Sequence, residues 1–549
     1  MATTLRIPGK KLTQKDLESK IFKSPLMEKL KEHVETYNIE GSERAMSEAH
    51  VTSINKDDIF YYTFEDGSGL FLAYDEILSL NERENLANPN RGSQYTGELL
   101  LPIQYSTGIS RNGTKKNGII TQASILRGNN INNLLLNNIG QYGASYIAKK
   151  LETKLVETEG VFVVNPDRTI SKNKPIKAEN GKQYFLLIHG TNSNTTNAFN
   201  DYNASKSGEE NIFKSIQELY KDQVLAFEHH TLTKSVFKNI ITLVADLPVD
   251  IELNILSHSR GGLVIDGLLL CIELVNNPTL KSEIIENLKL ENRGKDADAI
   301  DEICKTLLVK NIKIHQVIKV ASPGGGTSLL SDNSINIIRV LAEISKWSTG
   351  YIYDEAIELL EELIIAFIKT KDNPEILPGL EVMNPDSPFL HLINTVSYTE
   401  EINTFILAGK SGLNWNVFHS IKYILSRLVI QDDSDMVVNT ESMTQGIPFK
   451  EYAYYLAKGS EVHHSSYFYK KDTIDLINSA ITKKGNFLPN EQISIVQRET
   501  KQRGIIGLEY GSYLHQEISG KKPITVLIPG MMASTLSENG DLLWIDYTD

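Results

Sequence analysis

Cysteine is nearly missing from this chain: Cys271 and Cys304 are the only 2 in 549 residues. Two thiols make neither a disulfide framework nor a four-ligand zinc site, and both read as small buried hydrophobes. Excess positive charge is missing as well. Lys plus Arg number 56 against 69 for Asp plus Glu, a formal net charge of −13. Such a chain lacks the basic face that neutralises phosphates, which argues against general nucleic-acid binding. No uninterrupted apolar run is long enough to cross a bilayer. The opening MATTLRIPGKKLTQKDLESK has no apolar stretch behind its positive charges. Neither a secretory signal nor a lipidation motif is read there, so the expected compartment is the cytoplasm. What remains, 41% hydrophobic and 23% charged, is the composition of a globular chain. At about 150 residues per domain the length suggests roughly three to four units.

The first 135 residues read as an N-terminal α+β region of unknown function. Helical spacing runs from Lys15 to Tyr37, broken at Ser24-Pro25. Short strand candidates come next at Ile59–Phe64, Leu70–Ala73 and Glu98–Tyr105, the first two flanking the turn Glu65-Asp66-Gly67-Ser68. Asn112-Gly113, Asn117-Gly118 and Asn129-Asn130 mark loops. From about residue 136 to 480 the pattern changes. Apolar runs at Tyr184–Ile188, Gln223–Phe227, Glu252–Leu256, Ile314–Val320 and Thr404–Leu407 alternate with amphipathic stretches. Short apolar runs between helical segments predict buried parallel strands in a βαβ architecture. Within that region, residues 328–400 carry two helical stretches, Asn336–Trp347 and Tyr353–Ile368, and read as a helical lid insertion or as a core helix pair. Residues 481–522 read as an appendage or linker.

The strongest local signal is Ile255-Leu256-Ser257-His258-Ser259-Arg260-Gly261-Gly262-Leu263, a strand that ends in small-x-Ser-x-Gly before a helix opens. This is the context of a nucleophile elbow, whose turn is too tight for large side chains two residues either side of the serine. Ser257 stands where glycine is usual, small enough to fit. Upstream, Phe185-Leu186-Leu187-Ile188-His189-Gly190-Thr191 is an apolar strand ending in His-Gly. Its loop offers a second backbone N–H for an oxyanion hole, from Thr191 or Asn192, beside that of Arg260. Downstream, strand-Ala321-Ser322-Pro323-Gly324-Gly325-Gly326 lacks the Gly-Lys-Ser/Thr ending of a phosphate loop. Ala408-Gly409-Lys410-Ser411 has that ending but Thr404 where the first glycine belongs, so no nucleotide site is read.

A triad in the order Ser, acid, His needs a carboxylate and then an imidazole. Gln431-Asp432-Asp433-Ser434-Asp435-Met436-Val437-Val438 offers the acid: Asp435 is preferred, Asp433 is the alternative, and Asp432 suits a solvated loop. Glu461-Val462-His463-His464-Ser465-Ser466 offers the base, His464 preferred over His463. The pair His229-His230 precedes the serine and reads as structural or pocket-lining. No HExxH is present and adjacent histidines seldom ligate one ion, so no metal site is expected.

With these segments in view, the chain from about Tyr184 to Leu476 resembles the lipase branch of the α/β-hydrolase superfamily. The segments that carry the resemblance are strand-His-Gly, Ser-His-Ser-Arg-Gly-Gly, strand-Ala-Ser-Pro-Gly-Gly-Gly, Asp-Met-Val-Val and His-Ser. Met436 replaces the glycine that similar bacterial lipases carry after the acid. Phe227-Glu228-His229-His230-Thr231-Leu232 resembles uncharacterised bacterial lipase-like proteins. The resemblance implies an α/β fold with a mainly parallel central sheet, a helical lid insertion and acyl transfer. Ser259 would attack an ester, His464 would take its proton and Asp435 would hold the imidazole. No cofactor is required. The expected partner is a lipid or other acyl ester, with contact at a membrane surface and none with nucleic acid. The competing reading is a catalytically silent hydrolase fold used as an interaction module. A membrane-damaging effector or defence lipase would use the same triad. Pro523-Ile524-Thr525-Val526-Leu527-Ile528-Pro529-Gly530, with Ser534, Leu536 and Trp544, resembles the first strand of lecithin–cholesterol-acyltransferase-like lipases. Residues 523–549 therefore read as the start of a second hydrolase-like unit in a longer protein, or as a strand that pairs with the appendage.

Overall fold

Strands alternate in what their two faces meet, and that alternation builds the larger sheet. In Gln183–Ile188, Phe185 and Leu187 enter one buried apolar cluster while Leu186 and Ile188 enter another on the opposite face. A strand covered on both faces has no solvent side to mark with polar residues, which is why it reads as a continuous apolar run. The computed structural model describes residues 3–20, 25–39, 49–56, 58–65, 69–74, 77–78, 98–101, 104–109, 115–128, 143–171, 176–179, 181–199, 212–327, 362–363, 377–411, 433–435, 437–459, 462–483, 493–497, 537–538 and 541–542.

The N-terminal strands are β1 (Thr3–Ile7), β2 (Gly9–Lys11), β3 (Val34–Ile39), β4 (His50–Ile54), β5 (Ile59–Phe64), β6 (Gly69–Ala73), β7 (Glu98–Leu100), β8 (Gln104–Ile109) and β9 (Lys115–Leu126). They form one sheet of order β4-β1-β7 and another of order β2-β3-β9-β5-β6, with β8 also paired to β9. The helical spacing expected from Lys15 to Tyr37 resolves into helices Gln14–Glu18 and Pro25–Leu30, and then strand β3. The difference has a cause in the residues. Val34-Glu35-Thr36-Tyr37 is rich in strand formers, and the segment pairs with β9 from Val34↔Leu126 onward.

The second part holds β10 (Gly160–Val164), β11 (Ile170–Ser171), β12 (Gln183–Ile188), β13 (Val224–Glu228), β14 (Glu252–His258), β15 (Lys313–Val320), β16 (Asn403–Ser411), β17 (Glu451–Gly459) and β18 (Ser494–Gln497). They make a 9-stranded sheet of order β11-β10-β13-β12-β14-β15-β16-β17-β18. From β13 through β12, β14, β15, β16 and β17 every neighbouring pair is parallel, and antiparallel strands close both edges. Each predicted apolar run falls on a parallel strand, with Gln223 just ahead of β13. β18 falls within the segment expected as an appendage.

The two expected lid helices lie outside the described residues, apart from 362–363. So do the turn residues 66–68, the loop positions 112–113 and 129–130, and residues Asp432 and Met436. The chain from residue 377 onward, past those two helices, packs into the core. Leu377, Leu380, Phe389, Leu390 and Ile393 are buried, and Phe389 meets Phe237 edge-on at 5.3 Å. The chain forms two compact units, Met1–Arg503 and Gly504–Asp549. Of the second, a β19 (Ser537–Glu538) and β20 (Asp541–Leu542) pairing is described, and the expected strand at 523–530 lies outside the described residues.

Helix Gly261–Asn276 is buried along nearly its whole length. It carries Asp266, whose carboxylate oxygens accept from Lys319 of β15 at 2.9 and 2.7 Å, both side chains fully buried. Lys319 also donates to the carbonyl of Gln445 at 3.3 Å. Burial pushes the Asp266 carboxyl up, against the pull of Lys319. Removing one partner leaves a buried charge uncompensated. Lys319→Met is therefore expected to destabilise the chain by about 3–5 kcal/mol. The double variant Lys319→Met, Asp266→Leu should recover most of that loss in urea unfolding; a double variant no more stable than the single one would show that the pair itself supplies the stability.

Candidate active site

β14 ends in a turn whose geometry is strained. Ser259 has φ +53°, a left-handed conformation that costs a non-glycine residue of order 1–3 kcal/mol. The surroundings over-determine it. Ser259 N–H donates to Val320 O at 2.8 Å, and Gly262 N–H donates back to Ser259 O at 2.9 Å as the helix opens. The neighbouring chain approaches closely on both sides. A Cβ at Gly261 would lie 2.4 Å from Ile188 O, and one at Gly190 would lie 2.7 Å from Ser259 Cβ. Larger residues would push the β12 loop off the serine.

His464 lies in the turn after β17. Its Nε2 is 2.8 Å from Ser259 Oγ and its Nδ1 is 2.8 Å from Asp435 Oδ2. The carboxylate accepts from Nδ1–H, which leaves the Nε2 lone pair to accept from the serine hydroxyl. Asp435 is fully buried and its oxygens are all engaged. Oδ1 accepts from the N–H groups of Val437 at 3.1 Å and Val438 at 2.9 Å; Oδ2 also accepts from the Tyr467 hydroxyl at 2.9 Å. Burial alone would push this carboxyl up, but the facing imidazole and these donors hold it below its ordinary value. Sequence reasoning missed Tyr467. Its only local signal is its place three residues after His464.

The alternatives sit elsewhere. Asp433 is largely exposed and pairs with Lys410. His463 turns its Nε2 to the Tyr469 hydroxyl, and burial pushes its imidazole down to about 4. Of the loop expected to supply an oxyanion donor, Asn192 N–H is already spent on Thr231 Oγ1 at 2.9 Å. Thr191 turns its hydroxyl to Met383 Sδ at 3.7 Å. Arg260 precedes the first turn of helix Gly261–Asn276, where backbone N–H groups lack intrahelical acceptors. Its side chain is fully buried. The guanidinium donates to Gly379 O at 3.0 Å, Asn239 Oδ1 at 3.0 Å and Lys234 O at 2.9 Å. Burial lowers it to about 10, so it stays charged at neutral pH.

Three further imidazoles line the strand ends. His258 Nε2 is 2.9 Å from His464 O, and burial pushes it down to about 3. His189 Nε2 accepts from His229 N–H at 3.2 Å, so its Nδ1–H donates to Gly190 O at 2.9 Å. His229 is stacked between Phe227 and His189, with ring centroids 4.7 and 4.2 Å away. Burial lowers both His189 and His229. Among the described residues no group of three or more His, Cys, Asp or Glu could hold a metal ion, and no helix is long and apolar enough to cross a membrane.

The sheet order, the strained serine after β14, the acid after β16 and the histidine after β17 define an α/β-hydrolase fold. The chain belongs to the family described as "Domain of unknown function (DUF7379)", matched over residues 157–283 and 300–482. A comparison with curated proteins finds no match. Solved structures similar to it include the mature lipase BlEst2 of Bacillus licheniformis, at 13% identity and TM-score 0.28, covering 58% of this chain and 95% of that one. Lipase 1 of Pelosinus fermentans is similar at 13% identity and TM-score 0.36, covering 56% and 100%. Staphylococcus hyicus lipase is similar at 12% identity and TM-score 0.32, covering 57% and 95%.

The buried neutral histidines give stability a pH dependence. His189, His229 and His258 have folded values below 6.5, so the unfolded chain binds protons that the folded chain refuses. Their neutral state is fully available above about pH 6.5 and becomes a cost as pH falls below it. Asp435, depressed when folded, adds a loss in the same direction at lower pH. The urea midpoint should be level from pH 8 to 7 and fall steadily toward pH 4; a midpoint unchanged over that range would contradict the burial of neutral imidazoles.

Proposed function

We propose that this protein is a serine hydrolase of carboxylic esters that works through an acyl-enzyme. One observation carries the reading: His464 joins Ser259 Oγ and Asp435 Oδ2 at 2.8 Å each. Ser259 Oγ attacks the ester carbonyl as His464 Nε2 takes its proton. The carbonyl oxygen gains negative charge and accepts from the backbone N–H of Arg260, with Thr191 N–H as the second donor. His464 then returns the proton to the departing alcohol, and water repeats the sequence to release the acid. Asp435 fixes the imidazole tautomer and stabilises its cationic form. These steps call on no cofactor. A lipid or phospholipid ester is the proposed substrate class.

The test is labelling of purified protein by a fluorophosphonate, which reacts with activated serines. Wild type should label. Ser259→Ala should abolish labelling, and His464→Ala should slow it and ester turnover by roughly four or more orders of magnitude. Folded wild type that stays unlabelled, with detergent present, would overturn the proposal.

Tyr467→Phe gives a finer expectation. Without its hydroxyl, the Asp435 carboxylate concentrates more charge on His464 and favours the imidazolium. The acid limb of the pH–rate profile should therefore move up, because the hydroxyl no longer shares the carboxylate's charge with the imidazole. An unmoved limb would deny Tyr467 this role.

A further inference from the structure

We infer that Glu152 is a positioning residue for the oxyanion donors, acting through the Thr231–Thr233 loop. The inference rests on the ester-hydrolase reading. Glu152 lies on helix Gly143–Leu155, ahead of the matched residues 157–283 and remote in sequence from every group of the site. It is 2% exposed. Its carboxylate is hydrogen-bonded by three backbone N–H groups and one hydroxyl, and its charge also acts on the buried Arg260 guanidinium. Oε1 accepts from the N–H groups of Thr231 and Leu232; Oε2 accepts from Thr233 N–H at 3.2 Å and Thr233 Oγ1 at 2.6 Å. Three successive backbone N–H groups around one carboxylate fix the loop through charge-assisted hydrogen bonds.

That loop reaches both proposed donors. On one side Thr231 Oγ1 accepts from Asn192 N–H at 2.9 Å, which holds the peptide next to Thr191. On the other side the segment beyond it holds the Arg260 side chain, through Lys234 O at 2.9 Å and Asn239 Oδ1 at 3.0 Å, while Asn239 Nδ2 donates to His230 O at 3.0 Å. Gly379 closes the arrangement. Its N–H donates to Leu232 O at 2.9 Å and its carbonyl accepts from Arg260 Nε at 3.0 Å. Thr191 follows β12 and Arg260 follows β14, and these bonds tie the two segments to one loop. Glu152 anchors the middle of the loop. In Glu152→Gln the amide NH2 would face the Thr233 donors, and the loop would lose a charge-assisted anchor.

The experiment compares wild type, Glu152→Gln and Thr231→Val. The second variant keeps the backbone N–H bonds to Glu152 and removes only the acceptor for Asn192 N–H. Oxyanion contacts matter in the transition state and little in the ground state. Misplacement, rather than loss, of a donor predicts kcat and fluorophosphonate labelling rate down by about ten- to hundredfold, with KM within about threefold. The acid limb of the pH–rate profile should stay in place, because the Asp435–His464 pair is untouched; a general loosening of the fold would not separate these readouts. If Glu152→Gln fails to fold, Thr231→Val decides. Both folded variants labelling at the wild-type rate would overturn the inference. Wild type that does not label would remove the hydrolase reading itself, a different result because it appears without any substitution.

Discussion

The close approach of β12 and β14 around a left-handed serine is the constraint on which the site depends. Ser259 holds a backbone conformation that its side chain disfavours, and it persists because three neighbours leave no alternative. Val320 O takes its N–H, the start of helix Gly261–Asn276 takes its carbonyl, and the Gly190 backbone fills the space beside its Cβ. The same crowding raises Ser259 Oγ toward His464 and brings the His189–Thr191 loop alongside. Position follows from packing at the strand ends, and chemistry follows from position.

The acid loop is fitted to that elbow by a second set of bonds. Ser442 Oγ donates to Gly326 O at 2.5 Å and accepts from Gly325 N–H at 3.0 Å, while Thr327 Oγ1 donates to Val437 O at 2.6 Å. The glycine turn after β15, which could be mistaken for a phosphate cradle, thus docks the segment that carries Asp435. Lys319, paired with Asp266, donates to Gln445 O at 3.3 Å farther along the same loop. Ala408-Gly409, weighed as part of a nucleotide loop, has a comparable use: a Cβ on Gly409 would lie 1.9 Å from the Tyr467 hydroxyl, the one that donates to Asp435.

Sequence made the parallel strands legible because burial on both faces leaves uninterrupted apolar runs, and it made the elbow legible because sterics restrict its residues. β10, Gly-Val-Phe-Val-Val, is buried throughout and carried the same signal, but it stands before the βαβ series and pairs antiparallel. β17, Glu451–Gly459, has Tyr454 and Tyr455 at half-buried positions and an exposed Lys458, which blurs its period. The acid and histidine were placed by order and local composition, with adjacent candidates left open; only contacts across 29 and 205 residues distinguish them. Glu152 gave no local sign at all. Its partners are backbone N–H groups 79 to 81 residues away, and backbone donors have no residue signature.

Of the five buried imidazoles among the described residues, the proposed proton carrier is His464, which faces a carboxylate at 2.8 Å. His258 and His229 face backbone carbonyls, His463 faces a phenol, and His189 has its nearest carboxylate at 3.7 Å. Burial holds His189, His229 and His258 below their ordinary value, so a proton on any of these three is disfavoured. His464 has Asp435 at 2.8 Å, ionised and anchored by three further donors. A proton taken at Nε2 is therefore compensated across the ring. In the proposed mechanism the histidine-rich strand ends provide shape and hydrogen bonds, and the Asp435 carboxylate supports the charge that His464 would carry.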